Sequence, residues 1–412
     1  MSNANRGNMK KLLGIFMVGV SLASVGLVPT SVSAKAKAAA KIKIFMMVET
    51  KGESTTAIPD TADGAQMAIN EINRAGGITV NGVKRLIDYK RILTGGTSTL
   101  AETATRKALD ENPDILVGYI ASAMVPGAAP LLKAANKPTI FLNTSASLSL
   151  ADVATVGWPV SYRMRPTQSA LATGQFNFMY TDIFKGKLTK IGLICVQGAF
   201  GDAGCNAHKA FATAKGVTIA SQQSNAYNAT DLSAQVTAIC NSGAEAIIST
   251  NYPNPFAAFA NEMINQGCKL PVIEGASGDI GLLGGNVVKP PKDYKFYAAS
   301  DCQPSAAKSG TSKAFAEKFL KVKKYTPGYS VAVAYDSIYL IKAAIEAGNG
   351  TDAASFATGM AKQKYSGVCA AKYSPVKADG GLTTNILVNT SVVSTYDSKG
   401  KPTVVKTLVL PK

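Results

Sequence analysis

The side chains best suited to chemistry in this chain are few and widely spaced. The 412 residues include six cysteines and one histidine, His208. No two cysteines have the C-x-x-C spacing, and one imidazole cannot complete the usual ligand sets, so we predict no metal site. No G-x-S-x-G, Walker, H-E-x-x-H or strand-associated G-x-G-x-x-G motif is present. The sequence therefore favours a protein that is not an enzyme and needs no cofactor, with His208 as a surface or packing residue.

The even number of cysteines is typical of disulfides formed in an oxidising compartment. Six cysteines permit fifteen pairings, and the sequence alone leaves the choice open. Cys240 and Cys268 end consecutive predicted helices at equivalent places, and neighbouring helix ends on one face of a sheet can reach disulfide distance. We therefore predict a bridge between Cys240 and Cys268.

Residues 1–34 have the layout of a secretory signal peptide. Three basic residues precede an apolar run from Leu12 to Val28, and small residues ending at Ala34 follow it. A membrane anchor is the alternative, but glycines and serines make the run weakly apolar for a permanent span. No cysteine lies at the cleavage point to carry a lipid. We expect export to a periplasm and a mature chain that does not itself span the membrane.

The net charge of +17 also bears on which partners the protein has. The predicted signal peptide accounts for three of these charges. Such an excess can indicate nucleic acid, an anionic membrane or an anionic ligand. The basic residues are dispersed, and the densest run is Lys321-Val322-Lys323-Lys324. An exported protein rarely meets nucleic acid. We therefore predict no nucleic-acid partner and a solvated basic surface that weakly favours anionic solutes.

Hydrophobic patterning predicts two successive α/β domains. Short apolar runs alternate with helical segments between Ile42 and Leu142, and the alternation begins again at Lys190. One helix is predicted to begin with a capping box formed by Thr99 and Glu102. Continuous apolar runs are typical of parallel strands covered on both faces, and about 380 residues exceed one ordinary core. The predicted fold class is α/β, with two doubly wound parallel-sheet lobes.

Loops that follow parallel strands line a crevice in folds of this kind, and unpaired N–H groups of the next helices favour carboxylates. The candidate ligand loops come from both predicted lobes, at residues 49–56, 120–125, 143–149, 197–201, 251–255 and 274–279. We therefore expect a ligand held between two lobes.

Four short segments are informative because of their order and spacing along the chain. They are Gly64 to Gly77, Tyr162-Arg163-Met164-Arg165-Pro166, Phe200-Gly201-Asp202-Ala203-Gly204 and Ala334-Tyr335-Asp336. In this order and spacing they resemble the periplasmic leucine/isoleucine/valine-binding proteins and their relatives. These are type I solute-binding proteins of ABC importers for branched-chain amino acids, amides and aromatic acids. The resemblance covers nearly all of the mature chain.

The resemblance implies the type I periplasmic binding protein fold, with crossover segments near residues 162–166, 298–302 and 383–387. Lobe I would then comprise residues 41–162 and 302–384, and lobe II residues 165–298 and 387–412. Cys302 and Cys369 fall in one returning segment of lobe I, which predicts a bridge between them. Cys195 and Cys205 remain as the third pair.

The resemblance also implies ligand-binding positions. Ser122 matches a serine whose hydroxyl contacts the ligand carboxylate, and a helix N-cap is the alternative role. Ser145 and Ser147 match loop positions that hold the carboxylate and amine of amino acids, with loop solvation as the alternative. Phe200 and Tyr252 match aromatic walls of the cleft, where such rings stack on a ligand, and core packing is the alternative.

One departure from the family bears on the solute. Its amino acid binders place an acidic residue after the strand that ends near Ile273, where it pairs with the ligand ammonium. The matching positions here are Ala276 and Ser277, whereas Glu274 and Asp279 lie nearby but out of register. A buried ammonium without a carboxylate partner is costly. The departure therefore disfavours an aliphatic amino acid and favours an aromatic or other organic acid.

Together these features predict an extracytoplasmic solute-binding receptor of an ABC importer. We expect a monomer that closes two lobes on a small carboxylate-bearing solute, an amino acid of the branched-chain family or an aromatic or other organic acid. Its partners would be the solute and the importer's membrane subunits. The alternatives are a sensory protein that presents its solute to a signalling partner, and an exported enzyme.

Overall fold

Two β-sheets with helices on their faces organise the chain. The computed structural model describes residues 39–50, 61–142, 157–275, 291–370, 372–375, 385–397 and 401–410. The described residues all lie within one unit, Ala39–Lys412. No helix within these ranges is both long and apolar enough to cross a membrane.

The first sheet is built from alternating strands and helices, as the patterning predicts. In chain order the elements are β1 (Ile42–Glu49), α1 (Ala62–Arg74), the hairpin β2 (Ile78–Val80) and β3 (Val83–Arg85), β4 (Ile87–Gly95), α2 (Ser98–Asp110), β5 (Ile115–Val117), α3 (Val125–Ala134), β6 (Thr139–Phe141) and β7 (Ser161–Arg163). The five sheet strands are parallel and lie in the order β4-β1-β5-β6-β7, with the β2–β3 hairpin separate.

The N-terminal cap of helix α2 differs from the predicted one. The hydroxyl of Thr97, not Thr99, caps this helix and accepts the N–H of Leu100 at 3.3 Å. Glu102 therefore does not complete a capping box and instead forms an exposed ion pair with Arg106 at 2.8 Å. The predicted box fails because the helix begins at Ser98, which places Thr99 inside its first turn.

The second sheet repeats the architecture and adds an antiparallel end. Its elements are α4 (Gln168–Asn177), which continues as a π-helical segment (Phe178–Ile183), β8 (Lys190–Val196), α5 (Ala199–Ala214), β9 (Thr218–Asn225), α6 (Ser233–Cys240), β10 (Ala246–Thr250), α7 (Pro253–Asn265), β11 (Val272–Glu274), β12 (Phe296–Ser300), β13 (Thr390–Tyr396) and β14 (Pro402–Val409). The seven strands lie in the order β14-β13-β12-β11-β10-β8-β9, and the pairings of β13 are antiparallel.

Each face of the second sheet has its own apolar core, because successive strand residues point to opposite sides. Leu193 and Ile248 pack in a cluster with the residues of α4 and α5, whereas Ile194 and Ile247 pack with those of α6 and α7. Helices therefore cover both faces, which is why the strands carry unbroken apolar runs.

The late helices return to the first sheet. Helices α8 (Gly310–Lys323), α9 (Tyr329–Gly348) and α10 (Ala353–Ala361) follow β12, and α9 packs against α1. A Cβ at Gly64 would lie 1.9 Å from the carbonyl oxygen of Val331, so only glycine permits this approach. Residues of α9 and α10 share one core with the first sheet, and the chain then rejoins the second sheet at β13. The fold is the predicted pair of doubly wound lobes with three crossovers.

Side chains and backbone groups connect the crossovers to one another. The N–H of Arg163 donates to the carbonyl of Asn385, and the N–H of Leu387 donates to the carbonyl of Arg163, both at 2.9 Å. Arg165 and Asp301, both buried, form an ion pair with Nε–Oδ2 at 3.0 Å and an Nη2–Oδ1 hydrogen bond of 3.2 Å. Burial raises the pKa of Asp301 to about 6, and the guanidinium opposes this rise.

The six cysteines form three disulfides, and all three predicted pairings are confirmed. They are Cys195–Cys205, Cys240–Cys268 and Cys302–Cys369. The first two connect elements of the second sheet, and the third connects the segment after β12 to the segment after α10.

Candidate functional site

The Ser122 turn brings the two sheets into contact. Ser122 begins a 3₁₀ turn, Ser122–Met124, in the loop between β5 and α3, and it is buried. Ala121 occupies the N-cap position of this turn and Met124 that of α3, so the N-cap role considered for Ser122 is wrong. The turn contacts α5, the helix of the second sheet that carries Phe200. An element of the first sheet and a helix of the second therefore meet at this turn.

Phe200 and Tyr252 form an aromatic pair at the carboxyl edge of the second sheet. Their ring centroids are 5.2 Å apart with an interplanar angle of 32°. Phe200 lies in the first turn of α5, and Tyr252 lies between β10 and α7, directly before Pro253. Both are about 95% buried and belong to the apolar cluster beneath the edge. The structure thus brings together the two aromatic residues that the sequence singled out.

Local backbone geometry places the Phe200 ring at the end of β8. Gly198 precedes α5 with φ of +104°, a conformation that favours glycine. A Cβ at Gly201 would lie 1.7 Å from the carbonyl oxygen of Val196, so the helix begins in direct contact with the strand end. The Cys195–Cys205 disulfide then joins β8 to the second turn of α5.

The other predicted positions are not among the described residues. Ser145, Ser147, Ala276 and Ser277 all lie outside them, so their roles stay predictions.

Glu274 is an acidic residue whose environment the sequence could not give. It ends β11, is fully buried, and accepts a hydrogen bond from the Ser249 hydroxyl and one of 2.9 Å from the N–H of Asn251. Burial raises the pKa of Glu274 well above its ordinary value, against the opposing effect of these hydrogen bonds. The carboxyl group is therefore an interior group of the second sheet.

Two further buried polar residues were missed, one at the end of a strand and one within a helix. Glu49 ends β1 and is 7% exposed, although the sequence placed it only within a candidate loop. Gln175 of α4 contacts Gly275, where a Cβ would lie 2.1 Å from Oε1 of Gln175. Neither amide atom of Gln175 has a hydrogen-bond partner among the described residues. The apolar pattern of β1 could have indicated that Glu49, at the end of this strand, is a buried carboxylate.

Comparison with known proteins identifies the family to which this chain belongs. The family model described as periplasmic binding protein matches residues 41–395. The chain therefore belongs to the periplasmic binding protein family, and the resemblance inferred from its motifs is confirmed.

The individual proteins compared below have low sequence identity to this chain, 25% or less. "Leu/Ile/Val-binding protein homolog 8" of Brucella suis biovar 1 (strain 1330) is 25% identical over 272 residues, which are 65% of this chain and 64% of the relative. The chain thus matches slightly less than two thirds of that relative's length. The structure of LivJ from Streptococcus pneumoniae in complex with isoleucine is 20% identical, with a TM-score of 0.72 over 89% of this chain and 99% of LivJ. A solute-binding protein from R. palustris in complex with benzoate is 14% identical, with a TM-score of 0.71 over 90% of this chain and 97% of its own.

Proposed function

We propose that the chain is an extracytoplasmic solute-binding receptor that delivers a small carboxylate-bearing solute to the membrane subunits of an ABC importer. The observation that carries this proposal is the contact between the Ser122–Met124 turn and α5, because each of these elements carries a predicted ligand residue, Ser122 in one and Phe200 in the other. Membership of the periplasmic binding protein family supports it. So do relatives whose bound solutes are isoleucine and benzoate.

In this proposal, lobe I comprises residues 41–162 and 302–384, and lobe II residues 165–298 and 387–412. The shared core of the first sheet with α9 and α10 supports this division, as do the contacts of the crossovers at Arg163 and Arg165. Residues 1–34 act as the signal peptide, and the mature chain works in the periplasm as a monomer without nucleic acid. The sequence motifs support a receptor that is not an enzyme.

Transport requires the solute to select the closed arrangement of the lobes. A solute that contacts both lobes binds the closed state better than the open one, so it shifts the population toward closure. The hydroxyl of Ser122, together with Ser145 and Ser147, would bind the carboxylate from lobe I. Phe200 and Tyr252 would cover the organic part from lobe II and exclude water.

The burial of Glu274 supports an aromatic or other organic acid as the solute. Ala276 and Ser277 occupy the positions at which amino acid binders carry their acidic residue, and Glu274 is enclosed by the sheet. The buried carboxyl of Glu49 favours a second candidate, an amino acid whose ammonium lies toward β1. The two candidates differ in one charged group of the solute.

A thermal-shift screen tests the proposal directly. A ligand that binds only the folded state stabilises it by mass action, by about 2.7 kcal/mol at 100 times Kd, and so raises the melting temperature. We expect benzoate or 3,4-dihydroxybenzoate to raise it more than leucine or isoleucine. If only the zwitterionic amino acids stabilise the protein, the argument from Ala276 is wrong. If no carboxylate does so, the solute class is wrong.

Substitution of Glu49 separates the two candidates. Glu49→Gln keeps the shape and removes the charge, so it should leave benzoate affinity unchanged and weaken isoleucine binding at least tenfold if the ammonium contacts this carboxylate. Asp110→Asn, an exposed acid at the end of α2, is the matched control. Isothermal titration calorimetry measures both affinities. Uptake of the bound solute by a deletion strain then separates transport from sensing, because only a transport receptor is required for uptake.

A further inference from the structure

A belt of side chains crosses the carboxyl edge of the second sheet. We define it as Asn225, Ser249, Asn251 and Glu274, from the ends of β9, β10 and β11, and all four are at least 97% buried. Asn225 and Asn251 exchange amide hydrogen bonds of 3.1 and 2.7 Å. Because β8 lies between β9 and β10, this pair passes over the end of β8. Asn251 then donates its N–H to Glu274, which also accepts the Ser249 hydroxyl.

The belt ends on the backbone of Tyr252. Oδ1 of Asn251 accepts the N–H of Tyr252 at 3.2 Å, and the carbonyl of Tyr252 accepts the N–H of Phe256 at 3.1 Å. Tyr252 is the N-cap residue of α7, and Pro253 restricts its backbone to extended conformations. With both peptide groups of Tyr252 held, its ring lies against Phe200.

We propose that Glu274 is a positioning residue that holds Tyr252 through Asn251 and makes no contact with the solute. Both carboxyl oxygens already accept hydrogen bonds from residues at the end of β10. The side chain is fully buried, so it presents no surface to a cleft. The role of Glu274 in holding Tyr252 does not depend on the proposed function. Only the importance of Tyr252 for solute binding rests on the proposed function.

The burial of Glu274 bears on specificity. Both of its carboxyl oxygens accept hydrogen bonds inside the sheet, so neither is directed at an ammonium group of a solute, and burial raises the pKa of this carboxyl group. The described part of this edge then consists of an aromatic pair next to a buried hydrogen-bonded belt. Such a surface fits the uncharged part of a solute, and the carboxylate of that solute must be bound elsewhere.

Fluorine NMR of the full chain labelled with 3-fluorotyrosine tests the positioning role without any ligand. The Tyr252 signal is assigned by its loss in Tyr252→Phe. We expect Glu274→Ala to shift and broaden this signal. Glu274→Gln should restore it, because an amide oxygen can still accept the Asn251 N–H. Glu71→Ala in lobe I, whose carboxylate accepts Tyr335 and Tyr339 hydroxyls, is the control and should leave the Tyr252 signal unchanged.

Calorimetry with benzoate and isoleucine as probes tests the link to binding. Glu274→Ala should weaken the probe that binds about tenfold, Glu274→Gln should change its Kd less than twofold, and Glu274→Ala should add no loss in a Tyr252→Ala background. A Tyr252 signal that is unchanged in Glu274→Ala would overturn the positioning role. A tenfold loss of isoleucine affinity in Glu274→Gln, with the Tyr252 signal intact, would show direct contact with the ammonium. If neither probe binds, the proposed solute class fails, and the fluorine result alone decides the role of Glu274.

Discussion

Replacement of His208 by leucine should stabilise this protein, and increasingly so as the pH falls. The imidazole is fully buried on α5, and neither ring nitrogen has a hydrogen-bond partner among the described residues. An unsatisfied buried polar group costs about 1–3 kcal/mol, which leucine removes. At pH 7.5, His208→Leu should therefore raise the free energy of unfolding by roughly that amount.

The pH dependence follows from the direction of the shift. Burial lowers the pKa of His208 from 6.5 to about 3, so the unfolded chain binds a proton that the folded chain refuses. The wild-type protein thus loses stability as the pH falls from 6.5 toward 3, by about 1.4 kcal/mol per pH unit. Between pH 7.5 and pH 5, the advantage of His208→Leu should grow by about 2 kcal/mol.

Urea unfolding followed by circular dichroism at several pH values measures this difference. Carboxyl groups titrate in both proteins, so their contributions cancel when the two curves are subtracted. Asn206→Leu, an exposed position on the same helix, is the control and should give a difference that does not vary with pH. Parallel curves for wild type and His208→Leu, or a variant less stable at pH 7.5, would show that the imidazole has a partner, and the argument would fail.

Three other substitutions test contacts within and between the lobes by urea unfolding. Asp301→Asn removes the carboxylate that faces the buried Arg165 guanidinium and should cost about 3–5 kcal/mol, whereas a loss below 1 kcal/mol would contradict the ion pair. Gly204→Val places a Cβ 2.4 Å from a hydroxyl oxygen of β10 and should cost at least about 1–3 kcal/mol. Serine at both Cys240 and Cys268 opens a bridge across 28 residues and should cost about 3–4 kcal/mol, and reduced wild type, in which all three bridges are open, should lose at least as much.

The sequence predicts the buried central strands well because helices cover both of their faces. A strand such as Ile115–Val117 is apolar and buried throughout, and it falls among the short apolar runs predicted between Ile42 and Leu142. The hairpin of β2 and β3 was not predicted, although its turn contains an informative pair. Asn81 and Gly82 both have positive φ, as a two-residue hairpin turn requires, and Asn-Gly is the strongest short-range signal for such a turn.

The site was less predictable than the strands, because a shift of one residue along a strand turns a side chain to the opposite face of the sheet. Along β11, Val272 and Glu274 share one side, and Ile273 between them packs on the other. A glutamate at the end of a strand can equally face a cleft, and the sequence does not distinguish the two. What encloses Glu274 is the pair Ser249 and Asn251, more than 20 residues earlier in the chain, and only the pairing of β10 with β11 brings them together.

The distribution of the three disulfides is compatible with the lobe closure that the proposed function requires. All six cysteines lie among the described residues. Two bridges join elements of the second sheet and its helices, and the third joins Cys302, which follows β12, to Cys369 in a cluster with residues of α8 and α9. The crossovers are connected instead by hydrogen bonds at Arg163 and by the ion pair of Arg165 with Asp301. Noncovalent contacts of this kind can rearrange with small backbone rotations, whereas a covalent bridge between lobes would fix their separation. For the proposed receptor, we therefore expect the covalent crosslinks to stiffen the lobes and closure to occur by rearrangement of the contacts at Arg163 and Arg165.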